Sequence, residues 1–311
     1  MSNTASQPSL GLLHSHLLLN GPTLHQEERG PLRRVPGIQS TTDDSNMSLP
    51  SFTYVKDYAW YTAINACADS QIKNWDCRAC HHVPNTTFVT SFENFLLGAH
   101  GYLAIDHARK RIICSFRGTS NFRNVLSALD ATRSPLVYAN SNNVLVASGF
   151  LRTMESLEFI PPLKALLNNY QYSAYKVAFV GHSLGGALAS LALTKAQAIL
   201  NIDWKRLELY TYGQPRTGNT NFARWYNRKP IASARVVNNV DPVPLLTSTI
   251  ILDYHHHMNE LWIQGSHSNY KVIVCSRDQL EDPDCSVSTP LLKTQETDHM
   301  QYFGVNYTQK C

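Results

Sequence analysis

The chain has no run of the ~18 to 20 consecutive apolar residues that a membrane-spanning helix requires; its longest aliphatic blocks are all broken by polar side chains. A transmembrane helix is therefore not expected. A basic cluster is also missing. The 27 Lys and Arg against 23 Asp and Glu give a net charge of +4 spread over 311 residues, which leaves no electrostatic footprint for nucleic acid. Cysteine is sparse: seven residues are too few for a disulfide-built miniprotein, and the odd number leaves at least one thiol unpaired within a single chain. Residues 1–50 contain no Phe, Tyr, Trp or Cys and are rich in Ser, Pro, Gly and Asn. That segment is expected to be a low-complexity, disordered tail or pro-segment. Leu10 to Leu19 is a poor secretory signal, because His14 and His16 interrupt it and no Lys or Arg precedes it. Arg33-Arg34 offers a dibasic processing site, and both a removable pro-segment and a retained tail stay open.

What is present begins at Phe52. With 43% hydrophobic and 16% charged residues overall, the chain can build a large core, and 51–311 is expected to be one domain. The sequons at Asn46, Asn85 and Asn306, together with the cysteines, lean toward an oxidising compartment. Tyr102 to Ile105 and Arg111 to Phe116 flank a polar tetrapeptide and read as a hairpin. Tyr175 to Val180 reads as a buried strand and Ala187 to Leu200 as an Ala/Leu-rich helix. Leu207 to Tyr212, Ala234 to Asn238, Leu261 to Ile263 and Lys271 to Cys275 are further strand candidates between Pro and Gly signals. Strands alternating with helices predict an α/β fold with a mostly parallel sheet.

The strongest local signal is Gly181-His182-Ser183-Leu184-Gly185-Gly186, between the Val-rich strand and the Ala-rich helix. A serine on so sharp a turn stands clear of the sheet, and residues without side chains at 181 and 185 let the backbones cross closely. The helix N-terminus behind it offers N–H groups to a developing oxyanion. A serine hydroxyl is a weak nucleophile and needs a base held by a carboxylate, in the chain order Ser, acid, His. Asp241, before Pro242 at a strand end, suits the acid; it also suits a plain turn cap. Spacing does not choose a base among His255, His256, His257, His267 and His299. The triplet His255 to His257 lacks a ligand set for a metal and reads as loop or strand-edge residues. Cys77-x-x-Cys80 is half a zinc or redox motif without a second pair of ligands.

These segments, with Phe116-Arg117-Gly118-Thr119-Ser120, Tyr212 to Asn219, Val236 to Pro244, Glu260 to Ile263 and Asp298-His299 with Tyr302-Phe303-Gly304, resemble the secreted fungal class 3 lipases of the Rhizomucor and Rhizopus type. The resemblance implies an α/β-hydrolase fold and a triacylglycerol lipase. It implies Ser183 as nucleophile, Asp241 as acid and His299 as base, with Thr119 and the Leu184 N–H as oxyanion donors. By residue type alone Thr119 reads as an ordinary strand-end residue. The family pattern further implies disulfides Cys67–Cys311, Cys77–Cys80 and Cys275–Cys285, leaving Cys114 as a buried thiol. It implies no metal or organic cofactor.

Phe122, Val125, Leu126 and Leu129 recur at i, i+3, i+4 and i+7 and give a short helix one apolar face. Periodicity allows a helix packed permanently on the core. The resemblance implies a lid at about 120–131 that opens at an oil–water interface, where exposing these side chains no longer costs ~1.5 to 3 kcal/mol each. The expected partner is a triglyceride or other lipid ester met by peripheral surface contact, with secretion implied. The chain departs from the family pattern at Val125 (usually Trp), Ala128 (usually Asp), Ala147 and Leu245. Other readings are a feruloyl-type esterase, a phospholipase, or a non-catalytic lipid-binding protein, the last opposed by the complete triad pattern.

Overall fold

The computed structural model describes residues 17–20, 51–118, 132–246 and most of 249–308. Its strands, in chain order, are β1 (Leu17–Asn20), β2 (Thr86–Asn94), β3 (Ala99–Asp106), β4 (Arg111–Phe116), β5 (Arg133–Pro135), β6 (Leu145–Ala147), β7 (Lys176–His182), β8 (Leu207–Tyr212), β9 (Gly218–Asn219), β10 (Ala232–Asn238), β11 (Tyr254–His255), β12 (Glu260–Ser266), β13 (Asn269–Val274), β14 (Gln301–Tyr302) and β15 (Val305–Asn306). The main sheet has the order β1-β13-β12-β10-β8-β7-β4-β3-β2. The five strands from β4 to β12 run parallel, and antiparallel strands flank them on both sides. The alternation of elements predicts an α/β fold with a mostly parallel sheet, and the observed order is the α/β-hydrolase architecture that the family resemblance implies.

Parallel strands are buried on both faces, which is why they read as near-continuous apolar runs. Successive residues go to opposite cores: Val177, Phe179, Leu207 and Leu209 face one cluster, whereas Ala178, Val180, Tyr210 and Tyr212 face the other. The helix Leu184–Leu200 covers the first face, and its Ala/Leu composition leaves it buried nearly all round. The helix Phe52–Ile64 covers the second face with Val55, Tyr58, Tyr61 and Ile64. Chain order equals spatial order from β4 to β12, so the loops leaving the C-terminal ends of β7, β8 and β10 are neighbours.

One segment differs from expectation. Within the stretch read as a disordered tail, Leu17–Asn20 forms β1 and pairs antiparallel with β13, Leu17 opposite Val274 and Asn20 opposite Lys271. Composition argued against core material there, but an edge strand needs only backbone N–H and C=O groups, and the outer edge of β13 supplies them.

Cys77 is bonded to Cys80 and Cys275 to Cys285, with Cα separations of 4.9 and 6.1 Å. Cys67 is also disulfide-bonded, while its implied partner, Cys311, lies outside the described residues. Cys114 is a free, fully buried thiol on β4, and burial pushes its pKa well up. In the absence of reductant the folded protein is therefore expected to give no thiol reaction with Ellman's reagent, and one thiol per chain after unfolding. Three thiols after unfolding would refute the Cys67–Cys311 bond.

Candidate active site

The residues at 181–186 make the turn that their composition demands. A Cβ on Gly181 would strike the carbonyl of Gly185, and one on Gly185 would strike the carbonyl of Phe116. Only glycine allows this crossing of strand, turn and helix. Ser183 pays for the turn with φ +58° and ψ −131°, a sparsely populated conformation that clusters at functional sites. Its N–H donates to the carbonyl of Tyr212 (2.9 Å), which ties the turn to the end of β8. Ser183 is 2% exposed, and its Oγ has no hydrogen-bond partner among the described residues. Leu184 opens the following helix, which puts its N–H among the four that a helix N-terminus leaves unpaired inside the helix.

Asp241 lies three residues beyond the end of β10. Its Oδ1 accepts from the N–H of Val243 (2.8 Å); His299 Nδ1 reaches both oxygens, Oδ2 at 2.9 Å and Oδ1 at 3.1 Å, and Oδ2 also accepts from the hydroxyl of Tyr302. Both side chains of the His–Asp pair are buried, at 3% and 0% exposure. Gly213, at φ +58° after β8, makes room for this pair: a Cβ there would stand 2.7 Å from both Asp241 Oδ2 and His299 Nδ1. Asn238 holds the turn that carries His299, its Nδ2 donating to the carbonyls of Asp298 (3.1 Å) and Gln301 (2.8 Å). Thus Ser183, Asp241 and His299, 116 residues apart in chain at the extremes, emerge from one end of the sheet. Thr119 and the apolar set Phe122, Val125, Leu126 and Leu129 lie outside the described residues.

Sequence reasoning missed the partners of His299. His182 Nε2 donates to the His299 carbonyl (2.7 Å). Its ring lies between the rings of Tyr307 (3.7 Å, 8°) and His299 (4.5 Å, 30°). Burial first, and then the neighbouring His299, hold His182 well below the usual imidazole pKa, so it is neutral. The only sequence signal for this role is that His182 sits inside the glycine-serine motif. Tyr302 and Tyr307 belong to a C-terminal hairpin, β14–β15, and Tyr307 is bonded to Thr62 of the first helix (2.6 Å).

The histidine triplet is placed as its sequence suggests, His255 on the short strand β11 and His256 and His257 in the loop that follows, but that loop is buried rather than exposed. His256 Nε2 donates to the carbonyl of Pro244 (2.8 Å). Gln214 Nε2 donates to His257 Nε2 (3.0 Å), and the His257 ring stacks on Tyr226 (4.3 Å). Burial holds His256 well below the ordinary range and pulls His257 down to about 3. Glu260 lies near Cys275 and Cys285, but both sulfurs are in a disulfide and Glu260 is paired with Arg235 (2.6 Å), so this cluster holds no metal.

Neutral imidazoles held below an unfolded value of about 6.5 make stability depend on pH in a definite direction. The contribution of His182, His256 and His257 is full above that value and is lost as pH falls below it, by up to about 1.4 kcal/mol per pH unit for each ring. The melting temperature is expected to fall by several degrees between pH 7.5 and pH 5. A melting temperature that rises over that interval would contradict this burial.

The family model for "Lipase (class 3)" matches residues 113–250. A lipase of Rhizomucor miehei is 31% identical over 274 residues, covering 86% of this chain and 74% of its own. The chain belongs to the class 3 lipase family. A secreted mono- and diacylglycerol lipase of Fusarium solani is 36% identical over 175 residues, 54% of this chain and 48% of that one. A solved triacylglycerol lipase, whose catalytic centre is formed by a serine protease triad, is 31% identical with a TM-score of 0.72, over 84% of this chain and 98% of that chain. This class 3 lipase is a serine carboxylic ester hydrolase. Among the described residues, no helix is long and apolar enough to cross a membrane.

Proposed function

We propose that the protein is a secreted triacylglycerol lipase working through an acyl-enzyme on Ser183, with His299 as general base and acid and Asp241 as the orienting carboxylate. Ser183 Oγ attacks the ester carbonyl while His299 Nε2 takes its proton. The imidazolium that forms is stabilised by Asp241 and then returns the proton to the leaving glyceride oxygen. Water repeats the cycle and releases the fatty acid. Thr119 and the N–H of Leu184 bind the oxyanion, each donor contributing about 3 kcal/mol to transition-state stabilisation. The observation that carries this reading is the buried pair His299 Nδ1–Asp241 Oδ2 at 2.9 Å, at the same sheet end as a serine held at positive φ.

Burial of Ser183 to 2% exposure supports a closed resting state, opened at a lipid surface by a lid at residues 120–131. An interface selects the open state because apolar side chains that are costly in water are not costly in lipid. The disulfides, and the link we assign between Cys67 and Cys311, support an oxidising, extracellular setting. Relatedness to the Fusarium solani enzyme favours a second reading, in which mono- and diacylglycerols are the preferred esters.

The test is the hydrolysis rate of tricaprylin and dicaprylin across their solubility limits. A rise in rate once emulsion forms is expected. Smooth saturation below the limit would make the protein an esterase with a fixed helix at 121–130. A dicaprylin rate far above that for tricaprylin would select the second reading.

A further inference from the structure

Resting on the lipase reading above, we propose that two fixed apolar tips, Phe95-Leu96-Leu97 and Leu291-Leu292, dock the protein onto a lipid surface independently of the lid. Large apolar side chains are rarely exposed in consecutive runs on a water-soluble surface. Phe95 is 91% exposed, Leu96 94% and Leu97 51%, while Leu291 and Leu292 are 64% and 101% exposed.

Their positions make the pattern directional. β3 runs antiparallel to β4, with Gly101 opposite Phe116, so the β2–β3 turn lies at the sheet end where β4 and β7 deliver residues 117–118 and Ser183. Ala99 is two residues beyond Gly101, so the turn projects about 7 Å past the end of β4. Leu291–Lys293 lies on the same end, because Gln295 N–H donates to the carbonyl of Val240 (3.0 Å), just beyond β10. β3 and β10 each stand two strands from β7, on opposite sides, a lateral distance of about 10 Å. The two tips therefore straddle the strand that carries Ser183.

The first tip is built rather than frayed. Asn94 Oδ1 accepts from the Leu97 N–H (3.1 Å), the Gly98 N–H donates to the Phe95 carbonyl (3.2 Å), and Gly98 takes φ +62°. Exposed charges of both signs stand at the base of the tips: Arg117, whose Nη2 reaches the Gly98 carbonyl (3.5 Å), and Glu93 at the first, Lys293 and Glu296 at the second. Apolar points ahead of a charged base match acyl chains beneath a polar head-group layer more closely than they match a protein partner. At the opposite end of the sheet, Tyr170 before β7 is 86% exposed and Ile199, in the last turn of the helix Leu184–Leu200, is 52% exposed, but neither adjoins a second exposed large apolar side chain in the chain.

The probe is phosphatidylcholine vesicles doped with diolein, with partitioning measured by sedimentation in a Ser183→Ala background to prevent hydrolysis. Phe95→Ser/Leu96→Ser/Leu97→Ser and Leu291→Ser/Leu292→Ser are each expected to weaken partitioning at least about tenfold. The same substitutions in the active enzyme should leave turnover of dissolved p-nitrophenyl acetate and the melting temperature unchanged, and Tyr170→Ser should leave partitioning unchanged. Undiminished partitioning of both tip variants overturns the proposal, as does an equal loss from Tyr170→Ser. Self-association that disappears in the tip variants while partitioning persists would assign the tips to a second copy instead. If the parent hydrolyses no ester at all, the functional reading fails, yet the partitioning series still decides the docking surface.

Discussion

Ser183→Ala is expected to lower kcat on every ester by about a millionfold, since loss of a triad nucleophile removes nearly all that the triad supplies. Asp241→Asn is expected to lower it by about ten-thousandfold, and for a reason specific to this geometry. Oδ1 of Asp241 is held by the Val243 N–H (2.8 Å) and stands 3.1 Å from His299 Nδ1, whereas Oδ2 is the nearer oxygen to His299 Nδ1 (2.9 Å) and also accepts from the Tyr302 hydroxyl. The asparagine oxygen stays with Val243, which turns its NH2 group toward both donors. His299 escapes the clash by moving its proton to Nε2, and in that tautomer it no longer accepts the proton of Ser183. Tyr302→Phe removes one hydrogen bond to a charged acceptor, worth about 1.5–3 kcal/mol, and leaves the tautomer intact, so its loss of kcat should be far smaller. Burst kinetics with a p-nitrophenyl ester and the pH dependence of kcat/KM read all three. An Asp241→Asn enzyme within tenfold of wild type would remove the orienting role from Asp241.

The largest stability effect is expected at Arg216. Its guanidinium makes a bidentate pair with Glu281 (both 2.7 Å) and donates from Nη1 to the Leu245 carbonyl (2.9 Å). Both side chains are below one-tenth exposed. Burial alone would raise the pKa of Glu281, but the hydrogen bonds and charge of Arg216 outweigh it and hold the carboxyl below its usual value. Arg216→Met strands a buried carboxylate, a change that costs about 3–5 kcal/mol. At about 2–4 °C per kcal/mol, the melting temperature should fall by roughly 6–20 °C. Arg216→Met/Glu281→Met should recover most of that loss, because no charge is left unpaired. Activity should respond as well, since the same guanidinium anchors Val243–Leu245, the turn whose first N–H holds Asp241 Oδ1. A single variant as stable as wild type would show that this pair is dispensable.

The elements most legible in the sequence were those fixed by local chemistry. The period-2 and continuous apolar runs gave β4, β7, β8, β10 and β12 within a few residues, because buried parallel strands must be apolar on both faces. The glycines at 181 and 185 marked the sharp turn, because a Cβ at either position would meet backbone. Ser183 could be named from that turn alone. The carboxylate and the base could not: Asp241 fits a turn cap equally well, and five histidines were available, so both came from resemblance to a family. The Leu17–Asn20 strand was hidden because edge pairing uses backbone groups that carry no side-chain signature.

The sequence by itself determined an α/β fold and a strand–turn–helix serine, since each follows from the spacing and type of residues close together in chain. Only the tertiary structure decided which side chains meet. It set His182 against His299 across 117 residues, brought Tyr302 to Asp241 across 61, and closed Arg216 onto Glu281 across 65. It also turned His256 and His257 inward, where burial keeps them neutral. Contacts of that kind depend on strand order and loop direction in three dimensions, and no periodicity within one segment encodes them.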